Sequence, residues 1–245
     1  MKISIVIPAL NEEAGIVKVL SDIPKQRLNQ LGYDLEVIVV DNGSTDRTAE
    51  IATKNGARVI PQPLRGYGNA YKMGFAKATG DIIATGDADS TYPFSDLPRI
   101  LDIMHKTEAD FVTTDRLSTL DPKAMTFSHV FGNWLLSITT RILFRWPFKD
   151  SQSSMWIFKA SIWQSLEVLS PGMPFSQELK VEAWHKGFKC IEVPITYGVR
   201  LGEVKLNTIK DGFGNIWQLV KKRMTISRTR SHVDQDLTDP DLTFA

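Results

Sequence analysis

Hydrophobic and polar positions up to residue 115 alternate between two kinds of pattern. One kind is a short run of apolar residues. Between such runs, apolar residues recur at steps of three and four, which is typical of amphipathic helices. Asn11 is expected to cap the first of these helices. Strands that alternate with helices predict an α/β fold of Rossmann type, a mostly parallel sheet flanked by helices. The runs with the length of buried strands cover residues 3–7, 35–40, 57–60, 81–85 and 110–114.

The pattern changes after residue 116. Apolar and aromatic residues at helical spacing predict one amphipathic helix over 126–145 and a second over 212–224. Tryptophan with flanking basic residues suits a helix at a membrane interface, but either apolar face could pack into the core, so both alternatives stay open. Further strands at 155–158 and 190–195, with a helix over 176–186, complete a single domain over 1–224.

Composition narrows the class of protein. The 29 lysine and arginine residues nearly equal the 28 aspartate and glutamate residues, so no net positive charge favours a nucleic-acid partner. The single cysteine, Cys190, excludes an internal disulfide and suits a reducing compartment such as the cytoplasm. No run approaches the roughly 20 apolar residues of a membrane span. Residues 225–245 are basic and then acidic, which predicts a disordered tail.

Two carboxylates one residue apart, Asp87 and Asp89, follow the fourth predicted strand. In an extended turn they can converge on one side and share a hard divalent cation, Mg²⁺ or Mn²⁺, that keeps positions open for phosphate. Ligands of open α/β sheets bind at such carboxyl ends. The alternative is a solvated turn or a helix cap.

Three other segments also follow predicted strands. Residues 8–13 lead into a helix N-terminus, whose free backbone donors can hold a nucleotide, although Glu12 and Glu13 are also ordinary first-turn acids. Asp41 can accept hydrogen bonds from a base or ribose, or it can form an Asx turn. In residues 65–70, Arg65 can meet a phosphate and Gly68 admits close backbone approach.

Taken together, these segments resemble the family 2 inverting glycosyltransferases with a GT-A fold. Within that family they are similar to the dolichyl- or polyprenyl-phosphate sugar synthases, and the resemblance covers about residues 3 to 224. Its motifs are Pro-x-x-Asn-Glu-Glu at 8–13, Val-Asp-Asn-Gly-Ser-Thr-Asp-x-Thr at 40–48, Arg-Gly-x-Gly-x-Ala at 65–70, Gly-Asp-x-Asp at 86–89, Glu-Val-Pro-Ile at 192–195 and Arg-x-Gly-x-x-Lys-Leu at 200–206.

The resemblance implies a role for each matching residue. Asp87 and Asp89 would hold Mg²⁺ or Mn²⁺ on the diphosphate, while Arg116, Arg200 and Lys205 would engage phosphate. Without the family, Arg200 and Lys205 would be assigned to a solvated basic surface. The donor nucleotide would be held by Pro8, Ala9, Asn11, Glu12, Asp41, Arg65, Gly68 and Asp87.

Two positions depart from the family pattern. Thr91 stands where relatives often carry Gln or His, so a third metal contact is expected from water or elsewhere. Ser154 replaces a glycine next to the acceptor site and is expected to narrow that turn. Glu178 is the candidate catalytic base if the acceptor is a hydroxyl, whereas with a lipid phosphate it would orient a cation.

The expected activity is metal-dependent, inverting transfer of a sugar from a GDP- or UDP-sugar to a polyprenyl phosphate. Such an enzyme would be cytoplasmic and peripheral on the cytoplasmic face of the membrane. One alternative is a family 2 transferase that acts on a saccharide hydroxyl, and another is a non-catalytic module that binds nucleotide sugars. A sugar nucleotidyltransferase fits poorly, because no Gly-rich, Arg-containing loop follows the first strand.

Overall fold

A seven-stranded sheet forms the centre of the computed structural model, which describes residues 1–119, 124–201 and 214–225. Its strands are β1 (Lys2–Ala9), β2 (Asp34–Asp41), β3 (Arg58–Pro61), β4 (Ile82–Thr85), β5 (Phe111–Asp115), β6 (Trp156–Lys159) and β7 (Cys190–Pro194). Their order is β3-β2-β1-β4-β6-β5-β7. Only β6 runs antiparallel to its neighbours, so the expected α/β fold with a mostly parallel sheet is confirmed.

Helices cover both faces of this sheet. A single turn of 3₁₀-helix covers Phe94–Asp96. Among the described residues the helices are α1 (Ile16–Asp22), α2 (Lys25–Gln30), α3 (Thr48–Lys54), α4 (Tyr67–Lys77), α5 (Leu97–Lys106), α6 (Phe127–Phe144), α7 (Ala160–Trp163), α8 (Phe175–His185) and α9 (214–225). The two short helices α2 and α7 were not expected from the sequence. In the described chain, no helix combines the length and apolar character that crossing a bilayer requires.

The core consists of two apolar layers, one on each face of the sheet. In β1, Ile3, Ile5 and Ile7 pack into one layer, while Val6 packs into the other. Side chains alternate between faces along a strand, and both faces are covered here. That is why the central strands read as continuous apolar runs in the sequence.

The order of the strands creates a crevice at one edge of the sheet. From β1 the chain continues to β2 and β3 on one side and to β4 on the other, so the topology switches between β1 and β4. In open α/β sheets, ligands bind at the carboxyl ends of strands beside such a switch point. Because β6 is antiparallel, the loop before it, residues 145–155, reaches the same edge.

The start of α1 differs from the expectation. The residue before the helix is Gly15, which makes no side-chain cap, and Asn11 lies in the left-handed region with φ of 51°. Its Oδ1 accepts a hydrogen bond of 2.7 Å from the backbone N–H of Thr45. The cap prediction was wrong: Asn11 instead ties the loop after β1 to the loop after β2.

The amphipathic helix α6 turns its apolar face away from the protein. Its buried positions are Leu136, Ser137 and Thr140, and the Ser137 hydroxyl hydrogen-bonds to Ser151. The exposed side is aromatic and aliphatic, with Phe127 85% and Trp134 51% exposed. Within the described residues, most of the apolar face of this helix therefore lies outside the core, while Leu136 packs inward. In α9, Leu219 and Lys222 are buried and Trp217 is exposed.

Candidate active site

The two acids lie directly after β4, at the switch point of the sheet. The strand ends at Thr85, and the half-buried Asp87 and the buried Asp89 follow within four residues. A Cβ atom on Gly15 would lie 2.7 Å from the carbonyl oxygen of Ala88, closer than real Cβ contacts come. Only glycine lets the loop after β1 approach the acids so closely, so the structure places residues 8–15 against them.

Asp87 has one oxygen engaged by a neighbouring phenol. The Tyr67 hydroxyl donates a 3.1 Å hydrogen bond to its Oδ1. Burial, followed by the negative charge of Asp89, raises the pKa of Asp87 to about 7, although Tyr67, Arg200 and Arg116 all act in the opposite direction. A carboxyl group with so high a pKa is one at which an additional cation would be stabilising.

Asp89 is only 1% exposed, and both of its oxygens have partners. Oδ1 accepts hydrogen bonds from the backbone N–H of Thr91 at 3.0 Å and from the Thr91 hydroxyl at 2.6 Å. Oδ2 pairs with Nη2 of Arg200 at 2.5 Å, and the carbonyl oxygen accepts from the N–H of Leu201 at 2.9 Å. The structure thus brings Arg200 to the acids, and it uses Thr91 as a donor to Asp89.

The donor set at this site fits a hard divalent cation. Oδ2 of Asp87 is not engaged by any of the described hydrogen bonds, and carboxylate oxygens are the ligands that Mg²⁺ and Mn²⁺ prefer. Within the described residues no group of three His, Cys, Asp or Glu side chains surrounds a metal position. Two protein carboxylates leave several coordination positions open, as a metal that binds a diphosphate requires.

Arg116 follows β5 and is held rigidly by its neighbours. Its Nε and Nη2 donate to Oδ2 and Oδ1 of Asp150 at 2.7 and 3.0 Å, a bidentate pair in which both partners are buried. The guanidinium carbon also lies 5.3 Å from the ring centroid of Tyr197. Burial alone would raise the pKa of Asp150, but Arg116 holds it below its usual value. This arrangement fixes the direction of the cation.

Lys180 was not identified from the sequence, although it is only 1% exposed. It lies on α8, and its Nζ donates to the carbonyl oxygens of Ser153 at 2.8 Å and Asp150 at 3.3 Å. Burial lowers its pKa to about 7 against the opposing charge of Asp150. No pattern in the sequence pointed to it, because most residues of α8 are polar although nearly the whole helix is buried. Lys180 braces the loop that carries the partner of Arg116.

The residues expected to hold the nucleotide lie along the ends of β1 and β2. Pro8 and Ala9 are buried, and the backbone N–H of Glu12 donates to the Thr48 hydroxyl at 2.7 Å. Asp41 ends β2 and accepts a 3.0 Å hydrogen bond from the N–H of Ser44, which is an Asx-type turn. The structure places these residues on one side of the switch point.

The glycine-rich segment that leads into α4 contacts two other parts of the chain. Arg65 is exposed, and its Nη2 donates to the carbonyl oxygen of Gly43 at 3.2 Å, so it borders the loop after β2. A Cβ atom on Gly68 would lie 2.3 Å from the carbonyl oxygen of Ser170. Gly68 therefore admits the backbone at Ser170, and its expected role in holding the nucleotide stays a prediction.

Glu178 is buried in contact with other protein groups. Its Oε2 accepts a 2.8 Å hydrogen bond from the N–H of Ser170, and its Oε1 lies 3.6 Å from Nζ of Lys222 on α9. Both oxygens are engaged, which does not suit a general base but does suit the orientation of a cation. Lys205, the last expected site residue, lies outside the described residues.

Comparison with known proteins identifies relatives over most of the chain. The model of glycosyl transferase family 2 matches residues 4–164. A low-salt glycan biosynthesis hexosyltransferase of Haloferax volcanii is 38% identical over 87% of this chain, which spans about half (52%) of that relative's length. A dolichyl-phosphate hexose transferase of the same organism is 33% identical, covering 86% of this chain and 89% of the relative.

Solved structures share the fold. Glucosyl-3-phosphoglycerate synthase from Mycobacterium tuberculosis, in complex with Mn²⁺, UDP and phosphoglyceric acid, superposes with a TM-score of 0.71. It is 23% identical in sequence, and the match covers 92% of this chain and 78% of that one. At this level of identity the likeness shows the GT-A architecture.

Proposed function

The chain belongs to glycosyl transferase family 2, and from this premise we propose that it transfers a hexosyl residue from a nucleoside-diphosphate sugar to a polyprenyl phosphate. The observation that carries the proposal is the juxtaposition of two carboxylates with two arginines at the switch point of the sheet. Asp87 and Asp89 supply oxygen ligands, while Arg200 and Arg116 supply positive charge beside them. Cations and carboxylates in this arrangement suit a reaction that separates a sugar from a diphosphate.

The donor would lie along the ends of β1 and β2. Mg²⁺ or Mn²⁺ bound by Asp87 and Asp89 would act as a Lewis acid that neutralises charge on the leaving diphosphate. The base and ribose would contact Pro8, Ala9 and Asp41, which border the crevice on that side. Asn11 joins this wall to the loop after β2 and Glu12 joins it to Thr48 of α3, while Arg65, which borders the loop after β2, would meet the phosphates.

A phosphate acceptor explains why no general base is required. A polyprenyl phosphate oxygen is already ionised near neutral pH, so it needs cations to position it rather than a group to remove a proton. Arg116 is fixed for that task by Asp150, and Arg200 is available once it leaves Asp89. The engagement of both Glu178 oxygens by Ser170 and Lys222 supports the same conclusion.

The lipid tail of such an acceptor requires contact with a membrane surface. The exposed apolar side of α6 and the exposed Trp217 of α9 provide amphipathic surfaces suited to the interface of a bilayer. Lys221 and Arg223 are exposed near the end of α9 and favour anionic headgroups. We therefore place the enzyme peripherally on the cytoplasmic face of the membrane, where nucleotide sugars are supplied.

A donor screen tests the proposal directly. UDP-glucose, UDP-N-acetylhexosamine and GDP-mannose are each mixed with Mn²⁺ or Mg²⁺ and a short polyprenyl phosphate, and release of nucleoside diphosphate is measured. One donor is expected to give lipid-dependent release that the Asp87→Asn/Asp89→Asn double variant abolishes. Release with free saccharides but not with lipid phosphate would favour the hydroxyl-acceptor alternative. Tight nucleotide binding without turnover of any donor would favour a binding module.

Glu178→Gln separates the two acceptor chemistries. The amide keeps the size of the side chain but cannot accept a proton, so transfer to a phosphate is expected to retain most of its rate. A near-complete loss of rate in a variant with an unchanged melting temperature would contradict a mechanism without a base.

A further inference from the structure

Tyr67 contacts the acid pair directly, yet neither the motifs nor the family pattern gives it a role. It is the first residue of α4, and its hydroxyl lies 3.1 Å from Oδ1 of Asp87. It occupies the variable position of the Arg-Gly-x-Gly-x-Ala segment.

The phenol ring is held in place from two sides. The preceding Gly66 has φ of 142°, and a Cβ there would lie 2.3 Å from the carbonyl oxygen of Pro171, so the backbone entering α4 is fixed against that loop. The Tyr67 ring packs edge-to-face on Tyr71, with centroids 4.9 Å apart, and Tyr71 in turn stacks on Phe175. A hydroxyl on so rigid a support has little freedom to leave its acceptor.

Ser154 contributes a further contact to the same phenol. Burial and the charge of Asp87 raise the pKa of Tyr67, whereas the Ser154 side chain acts in the opposite direction as a hydrogen-bond partner. Ser154 precedes β6 and is itself fixed, because its carbonyl oxygen accepts a 2.8 Å hydrogen bond from the Thr85 hydroxyl. The serine that replaces the family's glycine is thus buried and held in place by β4.

We propose that Tyr67 is a positioning residue for the cation site: its hydroxyl fixes Oδ1 of Asp87 and leaves Oδ2 to bind the metal. Partners that orient metal ligands commonly change metal affinity by about 10- to 100-fold when they are removed. The inference rests on the proposed function, because it presumes that Asp87 binds a divalent cation. It extends that function by assigning a residue of α4 to the metal site.

Tyr67→Phe tests the inference, because it removes one oxygen and keeps the ring. Mn²⁺ titrated into the full chain without nucleotide is expected to bind about tenfold more weakly to the variant. In the transfer assay, the Mn²⁺ concentration for half-maximal rate is expected to rise by a similar factor, while kcat at saturating Mn²⁺ recovers. A purely structural defect would instead lower kcat at every Mn²⁺ concentration.

Tyr33→Phe is the control, since it removes a phenol whose hydroxyl pairs with His105 and does not contact Asp87 or Tyr67. Its Mn²⁺ affinity is expected to equal that of the wild type. Equal affinities of wild type and Tyr67→Phe would overturn the inference and leave the proposed function intact, as would equal losses in both variants. Absence of Mn²⁺ binding to the wild type would instead overturn the metal-dependent function itself.

A second variant covers a failure of Tyr67→Phe to fold. Ser154→Gly restores the residue of the relatives and removes the side chain that acts to lower the pKa of Tyr67. A smaller loss of Mn²⁺ affinity in the same direction is expected, and an unchanged affinity would overturn the inference.

Discussion

Replacing Arg200 by methionine should strengthen metal binding while it weakens catalysis. In the structure, Nη2 of Arg200 forms an ion pair with Oδ2 of Asp89 at 2.5 Å, and Asp89 is almost fully buried. A cation that uses this oxygen must compete with the guanidinium. Methionine keeps the length and the apolar part of the side chain but removes both the competing donor and its positive charge.

The contact sets the size of the effect. A hydrogen bond to a charged group contributes about 1.5–3 kcal/mol. The Arg200 side chain is 26% exposed, so water recovers part of that energy when the arginine leaves, and the lower end of the range applies. About 1.4 kcal/mol corresponds to a tenfold change in an equilibrium constant. Mn²⁺ should therefore bind to Arg200→Met about tenfold more tightly than to the wild type.

Titration calorimetry with Mn²⁺ in the absence of nucleotide measures this affinity. The control is Arg65→Met, which removes an exposed arginine whose guanidinium contacts the carbonyl oxygen of Gly43 and no carboxylate, and its affinity should not change. Transfer to the lipid phosphate should fall in Arg200→Met because the acceptor loses a cation. Weaker or equal Mn²⁺ binding by Arg200→Met would refute the reasoning and show that the arginine supports the acid rather than blocks it.

Three further outcomes follow from the same geometry. Protons compete with Mn²⁺ for Asp87, whose pKa is about 7, so Mn²⁺ affinity should stay constant above pH 7 and fall about tenfold per pH unit below it. An affinity that does not change with pH across this range would contradict the assignment of Asp87 as a metal ligand. Trp134→Ser should weaken binding to anionic vesicles about tenfold in a sedimentation assay, because burial of a large apolar side chain contributes about 1.5–3 kcal/mol. Leu31→Ser, the control, changes an exposed residue outside α6 and α9 and should leave vesicle binding unchanged. Asp150→Asn should lower the free energy of unfolding by about 3–5 kcal/mol in urea, because it leaves Arg116 as a buried charge with one partner lost; a loss below about 1 kcal/mol would contradict this.

Local signals were sufficient for the parallel part of the fold. Apolar runs predicted β1 to β5 to within one or two residues, because strands covered on both faces must be apolar throughout. The acid pair was identified for a related reason: a carboxylate directly after such a run lies at the carboxyl edge of the sheet. These inferences need only the spacing of residues along the chain.

Contacts between distant segments could not be predicted in this way. The apolar run before Lys159 indicated a strand but not that β6 is antiparallel, because pairing direction depends on partners elsewhere in the chain. The same spacing in α6 suited a core or a surface, and only the packing of Ser137 and Thr140 decided between them. Gly68 and Glu178 were both assigned to the site, yet both contact the backbone at Ser170. Ser170 lies about a hundred residues from Gly68 and about ten from Glu178 along the chain.

The reversed direction of β6 supplies the crevice with a wall that a parallel strand could not provide. A parallel strand would deliver the residues that follow it to the rim, but β6 delivers those that precede it, so residues 145–155 stand opposite the loops after β1 and β2. Grafting that stretch from a relative would exchange one wall while the opposite wall keeps its register. Residues 145–155 can therefore change without altering the pairing of β1 with β2, which gives an engineer one wall of the crevice to redesign.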